Sequence, residues 1–244
     1  MKKFDAHAHV GTFGGWANVS ITAEELVRQM DAHEITQAVL CSTDATDNHL
    51  TADALKTYPD RFYGLVYTNP TEGHSAVEQI EELVNHQGFC GIKLHPLQHA
   101  YVADAECLDP IMQTARKLHI PVFMHSGHAP YALPWSIGLL AERFPDVPLV
   151  MIHMGHGHGV YIDAALKMGR KYPNLYLEMS GMPMGCKIKE AYETVGSHRI
   201  FFGTDAPFHD PSVEIQKVLT SGLTPAQQQD VFFQNITAFW KQFR

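Results

Sequence analysis

The sequence predicts an α/β protein, a single-domain (β/α)8 TIM barrel with an extra C-terminal helix, formed by residues 1–244. Eight short runs rich in β-branched and aromatic residues recur along the 244 residues, and helix-like segments separate them. Successive runs end on average 28 residues apart, close to the roughly 30 residues that one strand–helix unit needs. Eight such units fill the chain, which is the size of a barrel. An open doubly wound sheet is the alternative, but the glycine-rich phosphate turn that such folds often carry is missing from the sequence.

Each run is nearly continuously apolar, which is typical of a parallel strand covered on both faces. In chain order the runs are KKFDAHAHV, ITQAVLCS, RFYGLVYT, GFCGIKLHP, IPVFMHSG, PLVMIHMG, NLYLEMSG and RIFFGTDAP. Helix starts lie between them. Thr22 and Glu25 have the spacing of a capping box, while Asp109, Asp210 and Thr224 each precede a proline, as an N-cap does. Thr224 begins the C-terminal helix, which we expect to cover the exterior or the base of the barrel.

Composition excludes several classes of function. The net charge is −8 and 45% of the residues are apolar, so we expect a globular protein that binds neither nucleic acid nor membrane. A transmembrane segment would need about 18 consecutive apolar residues, and the lysines of the N-terminus precede no apolar run, so we expect no signal peptide. The four cysteines are widely spaced and form no CxxC pair, which predicts a cytoplasmic protein without a thiol-based metal site.

Histidine and aspartate are concentrated at the ends of the runs, where a barrel carries its active site. Five of the eight run ends are of these types: His9, His95, His125, His153 and Asp205. His7 and His9 are two residues apart and therefore project to the same side of one strand. Imidazole together with carboxylate suits Zn²⁺, with Mn²⁺, Fe²⁺ and Ni²⁺ as alternatives. The sequence therefore predicts a divalent metal site.

These motifs carry a family resemblance. DAHAHVG, GIKLHP, FMHSGH, MIHMGH, YLEMSG and FFGTDAPF together resemble the amidohydrolase superfamily, in its amidohydrolase-related branch of metal-dependent hydrolases and decarboxylases. The resemblance implies that His7, His9, His125 and Asp205 hold the metal. It also implies that His153 lies beside the metal, as a general acid or base in one-metal members or as a ligand in two-metal members.

The fourth run leaves the number of ions open. Lys93 and His95 point the same way, and a carboxylated Lys93 would bridge two ions, as in several family members. Unmodified Lys93 would instead be a cation for a substrate carboxylate or a salt-bridge partner. We favour one ion, with His95 touching substrate rather than a second ion. Asp5 and Ser180 are expected behind the site, Asp5 orienting an imidazole and Ser180 hydrogen bonding nearby.

The expected activity is that of a metal-dependent hydrolase acting on an amide, lactone or ester of a small polar substrate. A metal-activated water would attack the carbonyl, Asp205 would take its proton, and His153 would assist the leaving group. The alternative is a non-oxidative decarboxylase (a lyase) of a small aromatic or enol acid. The short loops favour the hydrolase, because the decarboxylases tend to carry longer insertions. A metal-binding barrel without catalysis is the third hypothesis. A homo-oligomer could close the shallow site, and Trp16, Tyr131 and Trp135 could wall it.

Overall fold

The computed structural model describes residues 1–15, 17–45 and 47–243, and a nine-stranded sheet runs through them. The strands are β1 (Lys3–Phe13), β2 (Val19–Ile21), β3 (Ile35–Ser42), β4 (Phe62–Tyr67), β5 (Phe89–Leu94), β6 (Val122–His125), β7 (Leu149–Ile152), β8 (Leu175–Glu178) and β9 (Ile200–Phe201). Strands β1 and β3 to β9 are parallel and follow chain order, while β2 pairs antiparallel with the extended end of β1. The eight predicted strands are confirmed, and β2 is an addition.

Backbone hydrogen bonds close the sheet into a barrel. The Ala6 amide donates to Phe202 O at 2.8 Å, and the Asp205 amide donates to His7 O at 2.7 Å. A parallel bridge joins Ala8 to Ala206. The segment after β9 thus lies against β1, which confirms the predicted (β/α)8 barrel.

Helices follow the strands and cover the outside of the barrel. They are α1 (Ala23–Ala32), α2 (Asn48–Thr57), α3 (His74–Gln87), α4 (Asp109–Leu118), α5 (Pro134–Arg143), α6 (Gly159–Lys171), α7 (Gly185–Thr194), α8 (Pro211–Leu219), α9 (Pro225–Gln229) and α10 (Asn235–Trp240). A π-helical turn, Asp230–Gln234, joins the last two. In the parts of the chain that are described, none of these helices combines the length and the apolar character that crossing a membrane requires.

The helix starts agree with the sequence except at one position. Thr22 forms a capping box with Glu25, and Asp210 and Thr224 are N-caps. The prediction for Asp109 was wrong by one residue, because the N-cap is Leu108 and Asp109 is already helical. A 3₁₀ turn, Glu106–Leu108, runs directly into α4, so the helical backbone begins earlier than the Asp-Pro pair suggests.

The C-terminal helix closes the base of the barrel, one of the two positions expected for it. Ile236, Phe239 and Trp240 of α10 form one apolar cluster with strand residues such as Phe123 and Phe201. The Phe123 and Trp240 rings are stacked with centroids 6.0 Å apart. Since this end of the interior is filled with side chains, the only open end of the barrel within the described residues is the one at the carboxyl ends of the strands.

Candidate active site

A cavity of about 450 Å³ opens at the carboxyl ends of the strands, where barrels of this type carry their active sites. Histidines and aromatic side chains dominate its walls. The lining residues are His7, His9, Phe13, Thr43, Tyr67, Lys93, His95, Leu97, Gln98, His125, His128, His153, His156, Asp205, Phe208 and His209. Every residue predicted to bind metal or substrate therefore faces one space.

Asp205 lies between the two histidines of β1. Its Oδ1 is 3.2 Å from His7 Nε2 and 3.2 Å from His9 Nε2. The Asp205 backbone has φ of 57°, in the left-handed region, and its amide is hydrogen bonded to His7 O. This local conformation brings the side chain of Asp205, which follows β9, into contact with β1.

The protonation states of Asp205 and His7 suit metal ligands. Burial alone would raise the pKa of Asp205, but His153 and the hydrogen bonds from His7 and His9 outweigh it and hold that pKa well below its usual range. Burial lowers the pKa of His7 well below its ordinary value. A carboxylate and a neutral imidazole result, which are the protonation states that a metal ion requires.

His153 is oriented from the opposite side of the cavity floor. Its Nδ1 donates to the carbonyl oxygen of Ser180 at 2.9 Å, and Ser180 Oγ is 3.1 Å from the same nitrogen. Because a carbonyl oxygen only accepts, Nδ1 carries the proton and Nε2 keeps its lone pair. Burial lowers the pKa of His153 well below its usual value, so the ring is neutral at pH 7.

Glu178 supports this arrangement from below. Its carboxyl group accepts from the His153 amide at 3.2 Å and from the Ser180 hydroxyl at 2.8 Å. Burial raises the pKa of Glu178 to about 8. Glu178 thus anchors both the backbone of His153 and the residue that orients its ring.

His125 lies on the other side of His153, among further histidines. Its ring is stacked on His95 with centroids 3.8 Å apart, and its Nε2 is 2.8 Å from His128 Nδ1. The His125 and His153 ring centroids are 4.8 Å apart. Lys93 lies deeper, fully buried, with Nζ 3.2 Å from His7 Nε2, and burial lowers its pKa. Lys93 therefore flanks His7 from β5, whereas His125 contacts the neighbouring histidines rather than His7 or Asp205.

Asp5 has a different role from the one expected. Its carboxyl group accepts hydrogen bonds from the backbone amides of His7 and Thr204, at 3.0 Å and 2.8 Å, and from the Thr204 hydroxyl. The expectation that Asp5 orients an imidazole was wrong, because a register shift in β1 between Asp5 and Ala8 turns its side chain toward the segment after β9. Burial raises the pKa of Asp5 to about 7. Asp5 links the backbones that carry His7 and Asp205.

Two groups of side chains have the geometry to hold a metal ion. His7, His153 and Asp205 form one, and His7, His9 and Cys41 form the other, with the ligand atoms of each group within 4.8 Å of one another. Two donors on one tetrahedral ion with bonds of about 2.1 Å are about 3.4 Å apart. The 3.2 Å contacts of Asp205 with His7 and His9 match this spacing. Asp205 with His7 and His9 therefore fits a divalent ion, and His153 lies within reach of the same ion. The predicted ligand His125 belongs to neither group of the described residues.

Comparison with known proteins identifies the family. A family model described as amidohydrolase matches residues 5–242. The chain belongs to the amidohydrolase family. Among curated proteins, this amidohydrolase is similar to the gamma-resorcylate decarboxylase of Polaromonas sp. (strain JS666 / ATCC BAA-500), with 24% identity over 253 residues that cover 75% of this chain and 76% of the relative.

Two solved structures share the fold of this amidohydrolase. One is a dihydroxybenzoic acid decarboxylase from Polaromonas sp. JS666 with bound manganese and the inhibitor 2-nitroresorcinol, at a TM-score of 0.75 and 18% identity, covering 100% of this chain and 98% of that one. The other, from Acinetobacter baumannii, is described as a probable 2-pyrone-4,6-dicarboxylic acid hydrolase with citric acid bound, at a TM-score of 0.76 and 20% identity, covering 99% and 100%. The curated relative favours the decarboxylase alternative over the hydrolase.

Sequence reasoning missed several residues of the amidohydrolase cavity. Phe13 and Phe208 line one wall with ring centroids 5.1 Å apart, and Tyr67 hydrogen bonds with Gln98 on another. Tyr67 is a run end, so strand alternation could have identified it, whereas Phe13, Gln98 and Phe208 lie beyond the ends of the predicted runs and left no signal. Cys41 was dismissed with the other cysteines. Tyr131 and Trp135 do not line the cavity, and Trp16 lies outside the described residues.

Proposed function

We propose that the protein is a divalent-metal-dependent, non-oxidative decarboxylase of a small hydroxyaromatic carboxylic acid. One feature of the cavity carries this proposal: a donor set fitted to a metal ion lies directly beneath an aromatic wall. The Phe208 ring is perpendicular to the His9 ring with centroids 5.5 Å apart, and Phe13 packs on Phe208. A planar aromatic acid can place its carboxylate at the donor set and its ring against these side chains.

The chemistry divides between the ion and the chain. His7, His9, His125 and Asp205 would hold one divalent ion, Mn²⁺ or Zn²⁺, which would supply positive charge for the carboxylate and the neighbouring hydroxyl of the substrate. Breaking the carbon–carboxylate bond releases CO₂ and leaves an electron pair on the ring carbon. That carbon takes up one proton, so the hydroxyaromatic carboxylate and the proton become CO₂ and a hydroxyaromatic ring with hydrogen in place of the carboxylate.

His153 is the proposed proton carrier. Its Nδ1 proton is committed to Ser180 O, so Nε2 is the atom that can accept a proton and transfer it. Since burial lowers the pKa of His153, a proton accepted there is given up readily to carbon. Phe13 and Phe208 would hold the ring in place while the proton moves.

The proposal is tested by measuring CO₂ release from 2,6-dihydroxybenzoate and related hydroxybenzoates with protein freed of metal and reloaded with Mn²⁺ or Zn²⁺. We expect metal-dependent CO₂ release, reduced at least about 100-fold in Asp205→Asn and His153→Asn because each removes a group that acts in the reaction. His86→Asn, on the exposed face of α3, is the matched control and should retain activity. Hydrolysis of lactones or amides without CO₂ release would instead establish the hydrolase.

A further inference from the structure

Cys41 lies beside the metal donors, although the proposed reaction does not use it. It pairs in register with His9 across β1 and β3, and both side chains lie at the same height in the barrel. Cys41 Sγ is 3.4 Å from His9 Nδ1, and the thiol is fully buried. Its environment therefore consists of imidazole groups rather than apolar side chains alone.

The distances suit a metal ion. With bonds of about 2.3 Å to sulfur and 2.1 Å to nitrogen, tetrahedral geometry separates the two donors by about 3.6 Å, against the 3.4 Å found. His7 completes the group, with ligand atoms of all three residues within 4.8 Å of one another. His7 Nδ1 is buried and has no hydrogen-bond partner among the described residues. These three buried side chains thus form a donor group that does not include Asp205.

We propose that His7, His9 and Cys41 form a second, thiol-containing position for a thiophilic divalent ion, which competes with the position around Asp205. His9 presents Nε2 to Asp205 and Nδ1 to Cys41. A neutral imidazole has one lone pair, so His9 can serve only one of the two positions at a time. An ion at the Asp205 position leaves the proton on Nδ1, which can donate to Ser42 O, whereas an ion at the Cys41 position leaves the proton on Nε2.

Ligand chemistry predicts which ions prefer each position. A thiolate favours a soft ion such as Cd²⁺, a carboxylate favours Mn²⁺, and Zn²⁺ accepts either kind of ligand. Cadmium should therefore displace manganese from the protein with a stoichiometry of one ion. This inference shares the ligands His7 and His9 with the proposed function. Its test measures metal binding alone, so the result is informative even if the protein has no decarboxylase activity.

The first experiment records the electronic spectrum of the cobalt-loaded full-length protein in a Cys186→Ser background, which removes the exposed thiol of α7. A thiolate-to-cobalt charge-transfer band is expected from the protein in which Cys41 is intact. If this protein shows no such band at saturating Co²⁺, the proposal is overturned. Adding Cys41→Ser should abolish the band, whereas adding Cys90→Ser, on β5 and separated from β3 by β4, should leave it intact.

The second experiment compares affinities by competition titration. Cys41→Ser should weaken Cd²⁺ binding at least about tenfold and change Mn²⁺ binding less than about threefold, because a metal-site residue typically contributes a factor of 10 to 100. Circular dichroism confirms the fold of each variant. An equal loss of affinity for both ions would mean that Cys41 only packs against His9, and would overturn the proposal.

Discussion

At the scale of single residues, the candidate site is held by backbone conformations that side chains disfavour. Asp205 and His153 have φ of 57° and 67°, in the left-handed region. Such conformations cost on the order of 1–3 kcal/mol each and persist only where surrounding contacts fix them. The contacts are present: Asp205 is hydrogen bonded to His7 O, and Glu178 accepts from the His153 amide. The two residues proposed to act in catalysis are thus both among the residues placed at a conformational cost.

Ser180 should affect the reaction through His153. In Ser180→Ala the ring loses its hydroxyl partner but keeps the Ser180 carbonyl, so its tautomer is preserved and its orientation loosens. One hydrogen bond is worth about 1 kcal/mol, so we expect kcat for decarboxylation to fall about fivefold. Steady-state kinetics, with Mn²⁺ affinity measured in parallel, check this. Ser20→Ala, on exposed β2, is the control, and a change in Mn²⁺ affinity without a change in kcat would contradict the assigned role.

Gly203 is required by close packing rather than by its backbone angle. A Cβ at this position would lie 2.3 Å from Glu178 Oε1, and Glu178 is buried and hydrogen bonded to Ser180. Gly203→Ala should destabilise the protein by about 1–3 kcal/mol, as overpacking of a core does, and should reduce activity because Asp205 follows two residues later. Urea unfolding measures the first effect. Gly157→Ala is the control, since no atom lies within 4 Å of a Cβ there, and equal stability of the two variants would contradict the prediction.

At the scale of elements, strands were easier to predict than the short segments between them. The eight runs were visible because each is a buried strand with few polar residues. Strand β2 was missed because it has only three residues and pairs with the end of β1 beyond His9. Asp5 was misjudged because the alternation of side chains breaks at a register shift that composition does not reveal. Local patterns therefore predict elements well and their irregularities poorly.

The C-terminal helix depends on Asn235 for its attachment. The Asn235 amide donates to Ser197 O at 2.6 Å and to Ile200 O at 2.9 Å, which fixes α10 to the start of β9. Asn235→Ala removes both hydrogen bonds and leaves the carbonyl oxygens of Ser197 and Ile200 without this donor. We therefore expect a loss of about 2 kcal/mol in the free energy of unfolding. Chemical denaturation measures it. Gln234→Ala, an exposed neighbour in the same helical segment, should cost far less, and equal losses would show that the effect is not due to these hydrogen bonds.

At the scale of the whole molecule, closure of the barrel creates the site. His9 and Asp205 are 196 positions apart in the chain and meet because the segment after β9 hydrogen bonds to β1. The repeat length was sufficient to predict this closure, since every unit adds one parallel strand. The reaction could not be predicted in the same way: the short loops suggested a hydrolase, whereas substrate choice depends on cavity residues such as Phe208, which follow no periodic pattern.

The same closure predicts that a metal ion stabilises the entire fold. An ion bound by His7, His9 and Asp205 ties the first strand to the segment after the last one, and it binds only when the barrel is closed. A ligand at a hundred times its Kd adds about 2.7 kcal/mol, which for a chain of this size raises Tm by about 5–11 °C. Calorimetry of the metal-free protein with and without Mn²⁺ measures the shift, and EDTA should reverse it. Asp205→Asn should lose most of the shift while His86→Asn retains it. An equal Tm shift in both variants would place the ion elsewhere, because Asp205 is one of the ligands that join the two ends of the barrel and His86 is not.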